Sequence, residues 1–155
     1  MILNLRSPKP ADLEALFEID QACYEPEIAY SRRELRRYLR FPSAECVIAE
    51  AEEKIAGFCI GAREGAQGYI ITIDVLEPFR RMGVGTALLK EVEARLAAKH
   101  VQEVFLETAT DNLPGIAFWT HHGYRKQGVR KGYYPGGRDA YTMSKTIAPD
   151  LSNSA

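Results

Sequence analysis

Apolar residues recur along the chain in two rhythms. Leu13, Leu16, Phe17 and Ile19 fall at helical spacing, whereas Ile70, Ile71, Ile73 and Val75 form a β-branched run interrupted only by Thr72 and Asp74. Taken from the N-terminus, residues 1–6 read as a strand that Pro8 and Pro10 end. Pro10 sits well in the first turn of a helix running to about Cys23. After a loop over residues 24–30, Ser31 and Glu34 form a capping box that opens a second helix through Leu35, Tyr38 and Leu39, stopped by Phe41 and Pro42. Residues 46–51 and 55–62 read as hairpin strands around Glu52, Glu53 and Lys54. A turn over 65–68 leads into the strand that starts at Tyr69 and ends at Glu77-Pro78.

The second half continues the alternation. Val84, Leu88, Leu89, Val92 and Leu96 make one helical stripe, and residues 101–108 follow as a strand. Residues 112–122 give a short helix carrying Ile116, Phe118 and Trp119, closed by Gly123 as a left-handed cap. Residues 124–133 and 140–147 are the last strands. The order is β-α-α-β-β-β-α-β-α-β-β, an α/β domain spanning 1–148, with a polar tail at 149–155 expected to fray.

At 155 residues the chain fits one domain able to bury about two-thirds of its unfolded surface. A net charge of −1 implies no polyanionic partner, so nucleic acid is not expected. Arg32, Arg33, Arg36, Arg37 and Arg40 read as a solvated helix face. Cys23, Cys46 and Cys59 suit neither a disulfide framework nor a zinc spacing, and reduced thiols in the cytoplasm are expected. No signal peptide and no run of membrane-spanning length stands out, and no metal is expected.

The chemistry concentrates in YIITIDVLEPFRRMGVGTALLK, residues 69–90. A strand, then Arg80, Arg81, Met82, Gly83, Val84, Gly85 and Thr86, then a helix, make an anion site. Unpaired first-turn N–H groups, the helix dipole and two arginines converge there, and glycines let the backbone approach a diphosphate. The dinucleotide fingerprint fails because Leu88 stands where its third glycine belongs. The nucleotide-hydrolase loop fails because Gly85 is followed directly by Thr86.

The remaining pattern, R-x-x-G-x-G between a strand and a helix, resembles the acetyl-CoA pyrophosphate loop of the GNAT N-acetyltransferase superfamily. The element order is also that of the GNAT fold, so the resemblance covers nearly the whole chain. It implies a mixed, mostly antiparallel seven-stranded sheet whose parallel fourth and fifth strands splay apart to admit the pantetheine arm. On that resemblance Ile73, Asp74 and Val75 hold the arm, residues 80–86 hold the pyrophosphate, and Asn112 and Trp119 lie near CoA. Tyr133, Tyr134 and Pro135, followed by Gly136, Gly137, Arg138, Asp139 and Ala140, are similar to a loop of the ribosomal-protein alanine N-acetyltransferases. There, paired tyrosines cover the first residues of a peptide. With Tyr30, they are the expected acceptor contacts.

Acetyl transfer needs a neutral amine and an outlet for the thiolate. Glu107 matches the base of the alanine acetyltransferases, acting through water, and is expected to share a strand face with Val101 and Phe105. Tyr69 matches a water-holding position. Trp119 stands where the family places an acid tyrosine, and an indole N–H does not deliver a proton near neutrality. Either the thiolate leaves unaided, or Tyr124 or Tyr134 supplies the proton, or the domain is a poor catalyst. His121 and His122 are expected to serve the helix end. The expected activity is acetyl transfer from acetyl-CoA to a primary amine, best a protein or peptide N-terminus, a ribosomal protein included. The alternatives are a small-molecule amine, a lysine side chain, or a non-catalytic acyl-CoA-binding module.

Overall fold

The computed structural model describes residues 2–147. Strand β1 (Leu3–Arg6) is followed by a 3-10 turn at Pro10–Asp12 and helix α1 (Leu13–Cys23). Helix α2 (Arg32–Arg40) starts at the expected capping box: Ser31 Oγ accepts from the Glu34 N–H and the Glu34 carboxylate accepts from the Ser31 N–H, each at 3.1 Å. Strands β2 (Ala44–Ala51) and β3 (Lys54–Glu64) are longer than their apolar runs suggest. Glu52 and Glu53 both take left-handed φ angles, 54° and 65°, as a two-residue hairpin turn requires, so Lys54 already pairs with Ala51. Strand β4 (Gln67–Val75) likewise begins before Tyr69, because Gln67 pairs with Glu64.

Helix α3 (Val84–Ala98), strand β5 (Glu103–Ala109), helix α4 (Leu113–His121) and strands β6 (Arg125–Arg130) and β7 (Ala140–Thr146) complete the chain. The last two strands are shorter than expected, which leaves Tyr133 and Tyr134 in the connecting loop. Residue 1 and the expected tail at 149–155 lie outside the described residues.

The seven strands form one sheet in the order β1-β2-β3-β4-β5-β7-β6. All neighbours are antiparallel except β4 and β5, which run parallel and pair only over Gln67, Gly68 and Tyr69 against Glu103, Val104 and Phe105. Beyond Tyr69 the two strands separate. A bulge opposite Ile60 and Gly61 sits at the same point. It reverses the alternation of β4, so Ile70 and Ile73 both pack in the α3 core while Ile71 packs with α1 and α2.

Each sheet face has its own core. Val84, Leu88, Leu89, Val92 and Leu96 of α3 pack with Ile70, Val104, Leu106 and Met143 on one side. Leu16, Ile19 and Leu35 pack with Ile48, Phe58 and Ile60 on the other. Val101 departs from expectation. Its N–H bonds to Leu96 O, and His100 has φ 68°, so Val101 closes the C-terminus of α3 before β5 begins. It is fully buried in the α3 core and does not share the face of Phe105 and Glu107.

Candidate acyl-CoA and acceptor site

The splay exposes one edge of β4. The Leu76 N–H bonds to Ala56 O, and alternation then turns the backbone of Asp74 toward β3 and that of Ile73 and Val75 toward the gap. The expectation that all three hold a ligand arm is therefore corrected: the geometry offers the backbones of Ile73 and Val75, whereas Asp74 bonds within the sheet. At this edge the Tyr24 hydroxyl donates to Ile73 O at 2.7 Å, Tyr30 Oη to Ile71 O at 3.3 Å and Arg80 Nε to Val75 O at 2.9 Å. Arg80 thus folds back over the strand end.

At the start of α3, Gly83 is the N-cap with φ 81° and no side-chain cap, which leaves the first-turn N–H groups free of side-chain partners. A Cβ on Gly83 would meet nothing within 4 Å, so the backbone is open to a ligand there. Gly85 serves a different purpose. A Cβ there would lie 3.2 Å from the Phe118 ring, so its absence lets α4 pack against α3. Arg81 and Met82 are exposed, and Val84 is buried in the core. Thr86 Oγ1 is 3.0 Å from His122 Nε2, and Asn112 Oδ1 accepts the Gly115 N–H at 3.1 Å as the α4 cap.

On the α1/α2 face the expected acceptor residues lie around Glu107. Its carboxylate lies 3.4 Å from the Arg130 guanidinium, and burial raises its pKa while Arg130 lowers it. The rings of Tyr133 and Tyr134 cross edge to face at 4.9 Å. Burial, then the Glu107 charge, raise the Tyr133 phenol; Tyr134 rises through burial, then Tyr133 and Glu107. Tyr30 is edge-on to Tyr38 at 5.4 Å, and burial and neighbouring phenols, Tyr133 and Tyr134 among them, raise its pKa. Tyr69 lies 6.0 Å from Phe105, and its hydroxyl donates to Gln67 Oε1 at 2.9 Å. Arg138 ties the loops together, with contacts of 2.7 Å to both Glu25 and Asp111. The result is a carboxylate whose charge acts on two crossed tyrosines, on a strand whose pairing with β4 stops at Phe105.

A family model described as "Acetyltransferase (GNAT) family" matches residues 13–124, well over half of the chain. The chain belongs to the GNAT acetyltransferase family. Among its relatives, an N-alpha-acetyltransferase of Sulfurisphaera tokodaii is 26% identical over 93% of each chain. The ribosomal protein bS18 alanine N-acetyltransferase of Escherichia coli K12 is 27% identical over 94% of this chain and 98% of that one. A match to the N-alpha-acetyltransferase of Sulfolobus acidocaldarius is 40% identical but spans only 52% of this chain and 49% of that protein. A crystal structure of the E. coli S18-alanine enzyme superposes with a TM-score of 0.86 over 98% of each chain at 24% identity, a likeness of fold.

Within this GNAT domain several expected roles change. Trp119 is 6% exposed and packs against Phe118 and Tyr124 in the α3 core, with ring centroids at 5.0 and 5.3 Å. Tyr124 is 1% exposed and donates to Glu93 at 2.7 Å, which commits its hydroxyl to that carboxylate. His122 terminates α4, as expected of the helix end. Three residues escaped sequence reasoning: Asp20, Tyr24 and Arg130. Only Asp20 carried a signal, an acid on the same helical stripe as Leu16 and Ile19. Among the described residues no helix is long and apolar enough to cross a membrane, and no group of three acidic, His or Cys side chains is arranged to hold a metal.

Proposed function

We propose that this GNAT acetyltransferase moves acetyl from acetyl-CoA to the free α-amine of a protein or peptide N-terminus in the cytoplasm, a ribosomal protein being one candidate. The observation that carries the reading is the half-buried Glu107 whose charge acts on Tyr133 and Tyr134, phenols that with Tyr30 we read as the walls of an acceptor slot suited to a chain end. Acetyl-CoA supplies the activated thioester. The uncapped start of α3 at Gly83, with Arg81 beside it, suits the diphosphate, and the outward backbones of Ile73 and Val75 suit the amides of the arm. Glu107, working through water with Tyr69 on the neighbouring strand, accepts the proton of the amine.

Energetics favour an α-amine. Its pKa is near ~8, against ~10.4 for lysine, so the neutral form at neutral pH costs roughly 1 kcal/mol for the former and roughly 4.6 for the latter. Glu107 is matched to the smaller demand, and among the described residues no second carboxylate pairs with it or perturbs it. A peptide with both a free N-terminus and an internal lysine is the test. Mass spectrometry should find acetyl on the N-terminus; acetyl mainly on the lysine overturns the assignment. CoA release without any acylated amine would point instead to an acyl-CoA-binding module.

A further inference from the structure

Two acids are buried in the core, and among the described residues no cation is bonded to either. Asp20 on α1 is 0% exposed and Asp74 on β4 is 1% exposed. Asp20 Oδ2 accepts the Tyr30 N–H at 2.6 Å, and Asp74 Oδ1 accepts the Thr72 hydroxyl at 2.6 Å. Their remaining oxygens, Asp20 Oδ1 and Asp74 Oδ2, are buried without a hydrogen-bond partner. The C-terminal end of α1 brings them to the same part of the core: Cys23 Sγ donates to Val75 O at 3.5 Å and the Tyr24 hydroxyl to Ile73 O at 2.7 Å, the residues on either side of Asp74. Two carboxylate oxygens attract only when a proton lies between them, and two bare anions at this depth would repel strongly.

Asp20 also holds the acceptor loop. The Tyr30 N–H is bound by Asp20, and the Tyr30 carbonyl accepts from Gln21 Nε2 at 2.9 Å, so α1 grips both sides of that peptide. Through Asp74 the same carboxyl reaches β4, one residue from the Ile73 carbonyl that Tyr24 covers.

We infer that Asp74 keeps its proton and donates it to Asp20, and that this pair is a positioning clasp locking the 24–31 loop, and with it the Tyr30 wall of the acceptor slot, onto the splayed edge of β4. The slot's role rests on the acceptor reading above; the clasp itself does not. Desolvation, then Asp20, push the Asp74 pKa well above the usual carboxylate range, with Thr72 and Arg80 opposing. The other titratable groups facing the pair are thiols and phenols that burial keeps neutral: Cys23 is pushed up to about 11, Cys46 to about 12, and Cys59, Tyr24 and Tyr30 also rise. Among the described residues, Arg80 is the cation whose charge acts on Asp74. A carboxyl raised in the folded state stabilises fully below its unfolded pKa, and that stability is lost as pH rises through the folded pKa. The clasp therefore loosens toward alkaline pH.

The test compares wild type with Asp74→Asn, whose amide N–H replaces the Asp74 proton, and Asp74→Ala, which strands Asp20. Difference infrared spectroscopy on wild type should show a protonated carboxyl at neutral pH that Asp74→Asn lacks. Hydrogen exchange at the Tyr30 amide should stay protected in Asp74→Asn and speed up about tenfold in Asp74→Ala, as for a buried hydrogen bond worth about 1.4 kcal/mol. With a peptide acceptor, KM should rise with pH in wild type and stay flat in Asp74→Asn, with CoA affinity unchanged. Should Asp74→Ala not fold, the infrared band and the KM profile of Asp74→Asn decide. No carboxyl band at neutral pH, or a KM profile in Asp74→Asn that tracks wild type, overturns the clasp. Absence of peptide acetylation alongside an intact band and intact Tyr30 protection would overturn the acceptor reading alone.

Discussion

The Glu107 carboxylate on β5 lies 3.4 Å from the Arg130 guanidinium at the end of β6, two strands away across β7. The pair sets opposing forces on one group: burial holds the proton on Glu107, and Arg130 draws it off. As a base, Glu107 works ionised, so the rate should rise with pH through its raised pKa. Arg130→Gln removes the opposing charge and should move that acidic limb to higher pH. An unmoved limb in the kcat/KM profile would remove Glu107 from the base role.

Glu107→Gln should lower the transfer rate at neutral pH by about 10²-fold or more. Partial recovery is expected at higher pH, where more of the amine is already neutral. The measurement is initial rate against pH with one peptide. A variant as fast as wild type at neutral pH contradicts the assignment.

Gly83 and Gly85 should separate in their effects. Gly85→Val presses against Phe118 and should cost about 1–3 kcal/mol of stability, as overpacking does. Gly83→Val strains a left-handed N-cap at the open side of the loop, and CoA affinity should fall at least about tenfold while α4 packing survives. Calorimetric titration with CoA, beside denaturant unfolding of both variants, checks the division.

Trp119→Tyr tests the missing acid. If the phenol limits catalysis, the rate rises without tighter CoA binding. The indole's packing against Phe118 and Tyr124 makes a loss of stability the accompanying outcome, since the smaller ring leaves a cavity. A falling rate in a folded variant would assign the indole itself to the working site.

Tyr124→Phe should lower stability by about 1–2 kcal/mol and leave kcat unchanged. The hydroxyl donates to Glu93, which keeps Lys145 at 3.0 Å, so the deletion removes one bond of a partly buried trio. A large fall in kcat would return Tyr124 to the list of proton donors.

Much of this protein was legible in its residues because the signals were local. The Ser31 and Glu34 capping box, the α3 stripe from Val84 to Leu96 and the R-x-x-G-x-G loop each follow from side chains a few positions apart, and the structure reproduces them. Element order and family resemblance together implied the seven-stranded sheet and its parted strands. Tertiary structure decided what depended on distant partners. The β4 bulge turned Asp74 away from the gap, and chain closure at His100 took Val101 out of β5. Gly85 proved to serve Phe118, 33 positions on, and Arg130 became the neighbour of Glu107 only through the β7 strand between them. Asp20 and Asp74, 54 positions apart, are buried in the same region only because the end of α1 packs on β4, and no periodicity in the sequence records that packing.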